Sequence, residues 1–146
     1  MSNRKTLQQA DPRAFQTMLG FEKYLAESPL TKTHAELIKI RVSQINGCAY
    51  CLNKHTKDAR AAGETEQRIY LLSAWKEVPL FSKEEKAILA LTEEMTLISL
   101  RGVSNEVYDK TLELLGQQYT TAVMMGIVAM NAWTRIGITT ARKIED

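Results

Sequence analysis

The stretch Ile45-Asn46-Gly47-Cys48-Ala49-Tyr50-Cys51-Leu52-Asn53-Lys54-His55 is a break between two helical patterns. Asn46-Gly47 is a turn dipeptide and ends the pattern before it. That earlier segment runs from about Thr31 to Ile45 and is mainly apolar, through Leu37, Ile38, Ile40, Val42 and Ile45. The later one starts at or near Cys48 and stops at Gly63, a residue type favoured just past a helix end. A connection this short makes the two helices antiparallel neighbours.

Working outward, the same logic covers the rest of the chain. Asp11 before Pro12 reads as a cap followed by proline at the first helical position. Phe15, Met18, Leu19, Glu22 and Leu25 trace one face of the helix that follows, and Pro29 ends it. Beyond Gly63 the pattern predicts a short helix over about 66–75. Ser82 with Glu85 fits a capping box, opening a helix to about Ser99 with Ile88, Leu89, Leu91, Met95 and Ile98 inward. A helix over 104–115 and a last one over about 118–143 complete the set. The last is apolar almost all round, which predicts burial at the domain centre or at a subunit contact. Strand signals are nearly absent. The expectation is an all-α bundle of about six to seven helices, with residues 1–146 as a single domain.

Composition is consistent with this reading. Hydrophobic residues make up 45% and charged residues 25%, which suits a globular protein with one core. Nineteen basic and seventeen acidic residues are spread without a like-charged block, so neither nucleic acid nor an acidic membrane surface is expected as a partner. The start Met1-Ser2-Asn3-Arg4-Lys5 is basic but leads into no apolar stretch, so no secretory leader is read there. The apolar run from Thr120 to Trp133 is shorter than the roughly 20 residues a bilayer takes. A cytoplasmic location follows as an expectation. In a reducing compartment a cysteine pair is more often redox-active or metal-binding than a staple.

Cys48 and Cys51 share a helix face and sit at the helix start. Unpaired N–H groups and the helix dipole there favour a thiolate. A thiolate attacks peroxides and disulfides, and a neighbouring thiol can close the product as a disulfide. His55 lies on the same face, titrates near neutral pH as a residue type and can move protons to and from a thiol. At about 1.5 Å per residue, Glu36 lies roughly 16 Å before Gly47 and His55 roughly 12 Å after it. Their side chains can therefore bridge the two helices, with Glu36 orienting His55. Alternatives stay open at this point. Glu36 could close a capping box with Thr33 or be solvated, and His55 could be structural. The cysteines could form half a zinc site, although only His34 and His55 are available as histidine ligands and there is no third cysteine. Phe15, Leu19, Tyr24, Tyr70 and Trp75 could line an apolar entrance, but such positions are usually core.

Taken together, Glu36, Cys48-Ala49-Tyr50-Cys51, His55 and Gly63 resemble the core of the AhpD-like superfamily, the carboxymuconolactone decarboxylase and alkylhydroperoxidase family. The flanking Glu36-Leu37-Ile38-Lys39-Ile40-Arg41, His55-Thr56-Lys57-Asp58-Ala59-Arg60, Glu66-Gln67-Arg68 and Asn131-Ala132-Trp133-Thr134-Arg135 are similar in style. The resemblance implies an AhpD-like helical bundle assembled as a homotrimer or homohexamer, with no cofactor and no metal. It implies a thiol-dependent peroxidase in which Cys51 attacks the peroxide, Cys48 resolves the sulfenic acid, and Glu36 and His55 relay protons. An external dithiol, a carrier protein or small thiol, would restore the pair. One departure stands out: Tyr50 occupies the position before the second cysteine, where the best-known peroxidase members carry histidine. A phenol, with a reference pKa of about 10, is the poorer relay. The decarboxylase branch generally lacks the cysteine pair, which argues against lactone decarboxylation. A general thiol–disulfide oxidoreductase or redox sensor is the second reading, and an interaction protein with a vestigial site the third.

Overall fold

A computed structural model describes residues 3–144; Met1 and Ser2, which open the basic start, lie outside them. Among the described residues the chain forms nine helices and no strand. In order they are α1 (Leu7–Ala10), α2 (Pro12–Glu27), α3 (Lys32–Asn46), α4 (Ala49–Ala61), α5 (Glu66–Tyr70), a 3-10 segment (Leu72–Glu77), α6 (Lys83–Thr96), α7 (Ile98–Arg101) and α8 (Asn105–Thr139).

Caps set most of these boundaries. Asp11 accepts from the Arg13 N–H ahead of Pro12. Thr31 caps α3 by accepting from His34 N–H at 3.2 Å, so Thr33 is inside the helix and Glu36 belongs to no capping box. Ser82 and Glu85 form both halves of the box that opens α6. Gly63, at φ 94°, follows α4, and the Glu64 N–H returns to the Ala59 carbonyl at 2.9 Å.

The differences from the sequence reading have local causes. The segment over 66–75 divides at Leu71 into α5 and the 3-10 turn. The break expected between the helices over 104–115 and 118–143 is present: α8 is two helical stretches that meet at Gly116, where φ is 75° and ψ is 167°. Its regular part ends at Thr139 instead of near Lys143. Ile98 does not face inward: it follows the end of α6 at Leu97 and is 58% exposed.

The core is organised about α3. One side of α3, Ile38 and Val42, packs with Val123, Ile127 and Met130 of α8 and with Ile88 and Leu91 of α6. Its other side, Leu37 and Ile40, packs with Leu72, Trp75, Phe81 and Leu89. Full burial of each such aliphatic side chain contributes about 1.5–3 kcal/mol. Helix α8 is long and apolar enough, by length and composition, to cross a membrane. Ala122, Val123, Gly126, Ile127, Ala129 and Met130 are nevertheless buried against the other helices, which accounts for the apolar composition. Helix α2 has no buried residue and leans on α8 along one half-buried face.

Candidate active site

The α3–α4 hairpin is closed by very few residues. Gly47 adopts the left-handed conformation at φ 70°, which costs glycine no Cβ clash, and its N–H bonds back to Ser43. Cys48 is the next residue and already caps α4. The turn is tied to α8 by the Asn46 side-chain amide, which donates to Asn131 at 3.0 Å and to Thr134 at 2.9 Å.

Cys48 and Cys51 are joined as a disulfide, with Cα atoms 5.3 Å apart. The site is therefore seen in its oxidised form. Cys48 is 2% exposed and Cys51 4%. The Cys51 backbone N–H donates to Cys48 Sγ at 3.3 Å. The helix N-terminus thus acts most directly on Cys48, the capping residue, and less directly on Cys51.

Glu36 and His55 meet across the two helices, with Oε2 3.1 Å from Nδ1. Both are buried. A carboxylate can only accept, so Nδ1 carries the proton of this bond and Nε2 is the nitrogen left to exchange one. Glu36 is also held by Lys32 at 2.9 Å and lies 3.8 Å from the Lys39 ammonium. Burial pushes its carboxyl up, but hydrogen bonds from His55 and Lys32, with the nearby charge of Lys39, outweigh burial and hold it at about 2. Glu36 is thus ionised at neutral pH.

A cleft of about 960 Å³ opens over this arrangement. Cys51, Tyr50, His55 and Glu36 line it. Cys48 does not. Phe15, Leu19, Trp133, Ile136 and Gly137 supply much of its apolar side. A Cβ on Gly137 would sit 3.5 Å from Cys48 Sγ and 3.8 Å from Cys51 Sγ, so this glycine keeps the α8 side of the sulfurs open. Glu22 of α2 accepts from the Trp133 indole N–H at 2.9 Å and faces Lys39 at 4.0 Å.

All four residues singled out from the sequence are therefore in one place. Of the suggested entrance residues, Phe15 and Leu19 line the cleft. Trp75 is instead buried in the second cluster and donates to Glu93, while Tyr24 and Tyr70 are exposed. The sequence reading missed Lys32, Lys39 and Asp58, though helical spacing would have found them. Lys32 lies four residues before Glu36, Lys39 three after it, and Asp58 three after His55, 3.8 Å from Nδ1. Glu36, His55 and Asp58 offer ligand atoms within 4.8 Å of one another, a spacing a metal ion could use. Both carboxylates already have ammonium partners, Lys32 on Glu36 and Lys54 on Asp58, each at 2.9 Å.

Residues 12–94 match the model of the carboxymuconolactone decarboxylase family. The chain belongs to this family. It is 45% identical over 138 residues to the uncharacterised protein YdfG of Bacillus subtilis (strain 168), covering 94% of each chain. A crystal structure from Agrobacterium tumefaciens, of a protein of unknown function assigned to AhpD-type antioxidant defence, is 30% identical. It covers 99% of both chains with a TM-score of 0.95. The debrominase Bmp8 shares the fold at 15% identity and a TM-score of 0.79, over 92% of this chain and 72% of its own. The all-α architecture is thus the AhpD-like fold.

Proposed function

We propose that the protein is a thiol-dependent peroxidase of the alkyl hydroperoxide reductase type, with Cys51 as nucleophile. The observation that carries this reading is the junction of a closable dithiol, a buried Glu36–His55 pair and a cleft that reaches Cys51. In the reduced protein the Cys51 thiolate attacks the terminal oxygen of a hydroperoxide. The O–O bond breaks, the alkoxide leaves, and protonated His55 delivers the proton that makes it an alcohol. Cys51 is left as a sulfenic acid. The Cys48 thiolate, favoured by the capping N–H, attacks Cys51 Sγ, and hydroxide leaves as water after protonation. The peroxide is reduced by two electrons and the pair is oxidised to the disulfide. An external dithiol would return it to two thiols by exchange and leave as its own disulfide. Glu36 keeps the His55 ring oriented and its imidazolium stabilised.

The partly exposed apolar residues Val128 and Ile138 on α8 are compatible with assembly as a homotrimer or homohexamer. A reducing compartment such as the cytoplasm would supply the dithiol. A thiol–disulfide oxidoreductase is the second reading. It is favoured by the size of the cleft, which is larger than a small peroxide requires.

The test mixes reduced protein with cumene hydroperoxide and follows each thiol by mass spectrometry. Wild type should convert to the Cys48–Cys51 disulfide, C48S should stop with one added oxygen on Cys51, and C51S should lose fast reaction altogether. If Cys51 reacts no faster than free cysteine at the same pH, the peroxidase reading fails. Fast exchange with protein disulfides would then support the oxidoreductase instead.

A further inference from the structure

We propose that Arg142 is the anion-recognition residue of the cleft, and that the peroxide taken there is an organic anion, a carboxylate joined to an apolar body. This rests on the peroxidase reading for the reaction, but the binding site itself is argued independently of it.

The first observation is how Arg142 is placed. Helix α8 ends in a turn in which the Ala141 N–H bonds to the Ile138 carbonyl at 3.1 Å and the Arg142 N–H to Gly137 at 3.0 Å. This is the Schellman arrangement, whose left-handed residue is usually glycine. Here it is Ala141, at φ 52°, the one non-glycine with positive φ among the described residues. A left-handed alanine costs roughly 1 kcal/mol, and strain of this kind tends to mark functional positions. The turn folds residue 142 back beside Gly137, the glycine that abuts both sulfurs. The guanidinium then lies 4.0 Å over the ring of Tyr50, the residue between the cysteines. An exposed cation, stacked on Tyr50, is thus separated from the dithiol by one side chain.

The second observation is charge. The three carboxylates lining the cleft are already matched: Glu36 by Lys32, Glu22 by Lys39 and Asp58 by Lys54. Arg142 also lines the cleft and has no carboxylate partner among the described residues. Stacking uses only the face of the guanidinium and leaves its N–H edge for a planar bidentate acceptor. Tyr50, between the cysteines, thus serves as the platform for that cation.

The third observation is shape. About 960 Å³ is room for an organic ligand, not only for hydrogen peroxide. The apolar wall formed by Phe15, Leu19, Trp133 and Ile136 suits the body of such a ligand. An amphipathic anion uses the wall, the cation and the sulfur together; a small neutral peroxide uses only the sulfur.

Two measurements test this. Binding is read on the reduced protein from tryptophan fluorescence, to which Trp133 in the cleft and Trp75 in the second core cluster both contribute, with para-isopropylbenzoate and its neutral amide. Saturable quenching by the acid, about tenfold weaker for the amide and lost in R142Q, supports the proposal. Equal response to acid and amide overturns it. Reaction is read from second-order rates of disulfide formation with cumene hydroperoxide and its para-carboxylate. Wild type should prefer the carboxylate by about tenfold, R142Q should bring the ratio near unity, and R142K should restore part of it. A purely structural role for Arg142 would lower both rates together and leave the ratio unchanged, which overturns the proposal. If the acid binds selectively but neither peroxide reacts faster than with free cysteine, the peroxidase reading fails while the anion site stands.

Discussion

Two clusters of partly buried charge are built from the same parts and end differently. Around Glu36, a helical neighbour, Lys32, and a distant partner, His55, converge on one carboxylate. Around Arg68, Glu64 from the connection just before α5 and the distant Glu85 converge on one guanidinium. Arg68 is saturated: it also donates to the Leu80 carbonyl and lies 4.6 Å over the Phe81 ring. It lines no part of the cleft, and every donor direction ends on protein. Glu36 is more deeply buried still, but the group it orients commits only Nδ1 to a carboxylate and lines the cleft beside Cys51. A closed network fixes helices to one another. An open one spends its stability on aiming a titratable group, so charge and burial alone do not separate a structural cluster from a chemical one.

The sharpest way to break this contrast is to delete the distal residue of each. H55A should lower the rate of Cys51 oxidation by about 10²–10⁴, the usual weight of a positioned acid–base group, and leave Arg68 untouched. R68A should leave Glu64 and Glu85 without their cation and lower stability by about 3 kcal/mol, or on the order of 10 °C in Tm. Its folded fraction should react with peroxide within about twofold of wild type. Thermal melts and single-turnover rates on the same samples decide. If R68A slows the thiol chemistry as strongly as H55A, the two clusters are not separate.

Acid titration sharpens the comparison. Glu36 is held at about 2, below the ordinary 4.5. A carboxyl depressed on folding adds stability that is fully present above its ordinary value and is lost as pH falls through the folded one. The wild type should therefore lose on the order of 3 kcal/mol from this group between about pH 4.5 and 2. E36Q has no such proton to take up. Its stability at neutral pH should be lower and its acid limb flatter, measured by urea unfolding across that range. An acid limb in E36Q as steep as in wild type would assign the loss to other carboxylates, among them Glu85, which burial raises but Arg68 pulls below its usual range.

Much of this was legible in the sequence, for identifiable reasons. Asn46-Gly47 announced the hairpin because a left-handed residue is needed where two helices reverse so abruptly, and that reversal alone brings Glu36 to His55. Ser82-Glu85 and Asp11-Pro12 announced helix starts because caps are local chemistry. What was not legible depends on tertiary placement. The segment over 66–75 reads as one short helix but divides at Leu71 into α5 and a 3-10 turn. Ile98 has the spacing of a core residue but falls after the helix has ended. Trp75 and Phe15 are both aromatic at helical spacing, yet one fills the core beside Leu72 and the other lines the cleft. Arg142 carries no sequence signal at all, since its position over Tyr50 depends on how α8 terminates.

The smallest expected effect separates the two clusters most finely. Lys32 is 61% exposed along its side chain, whereas Glu36, which it bonds, is 3% exposed. Holding a long, mostly solvated side chain in one geometry offsets most of the attraction, so such a pair is worth about 0.5 kcal/mol. K32M should therefore change Tm by no more than about 2 °C. It should still raise the Glu36 carboxyl toward its ordinary range, because that hydrogen bond is one of the contacts that hold it down. The acid limb would then begin at higher pH with neutral-pH stability nearly unchanged, read by carboxyl NMR titration alongside melts. No donor on Arg68 is comparably solvated, since its side chain is only 20% exposed and its carboxylate partners less. If K32M costs as much stability as R68A, the Glu36 cluster is closed in the same sense as the Arg68 one. The distinction between a network that holds and a network that aims would then fail at its weakest member.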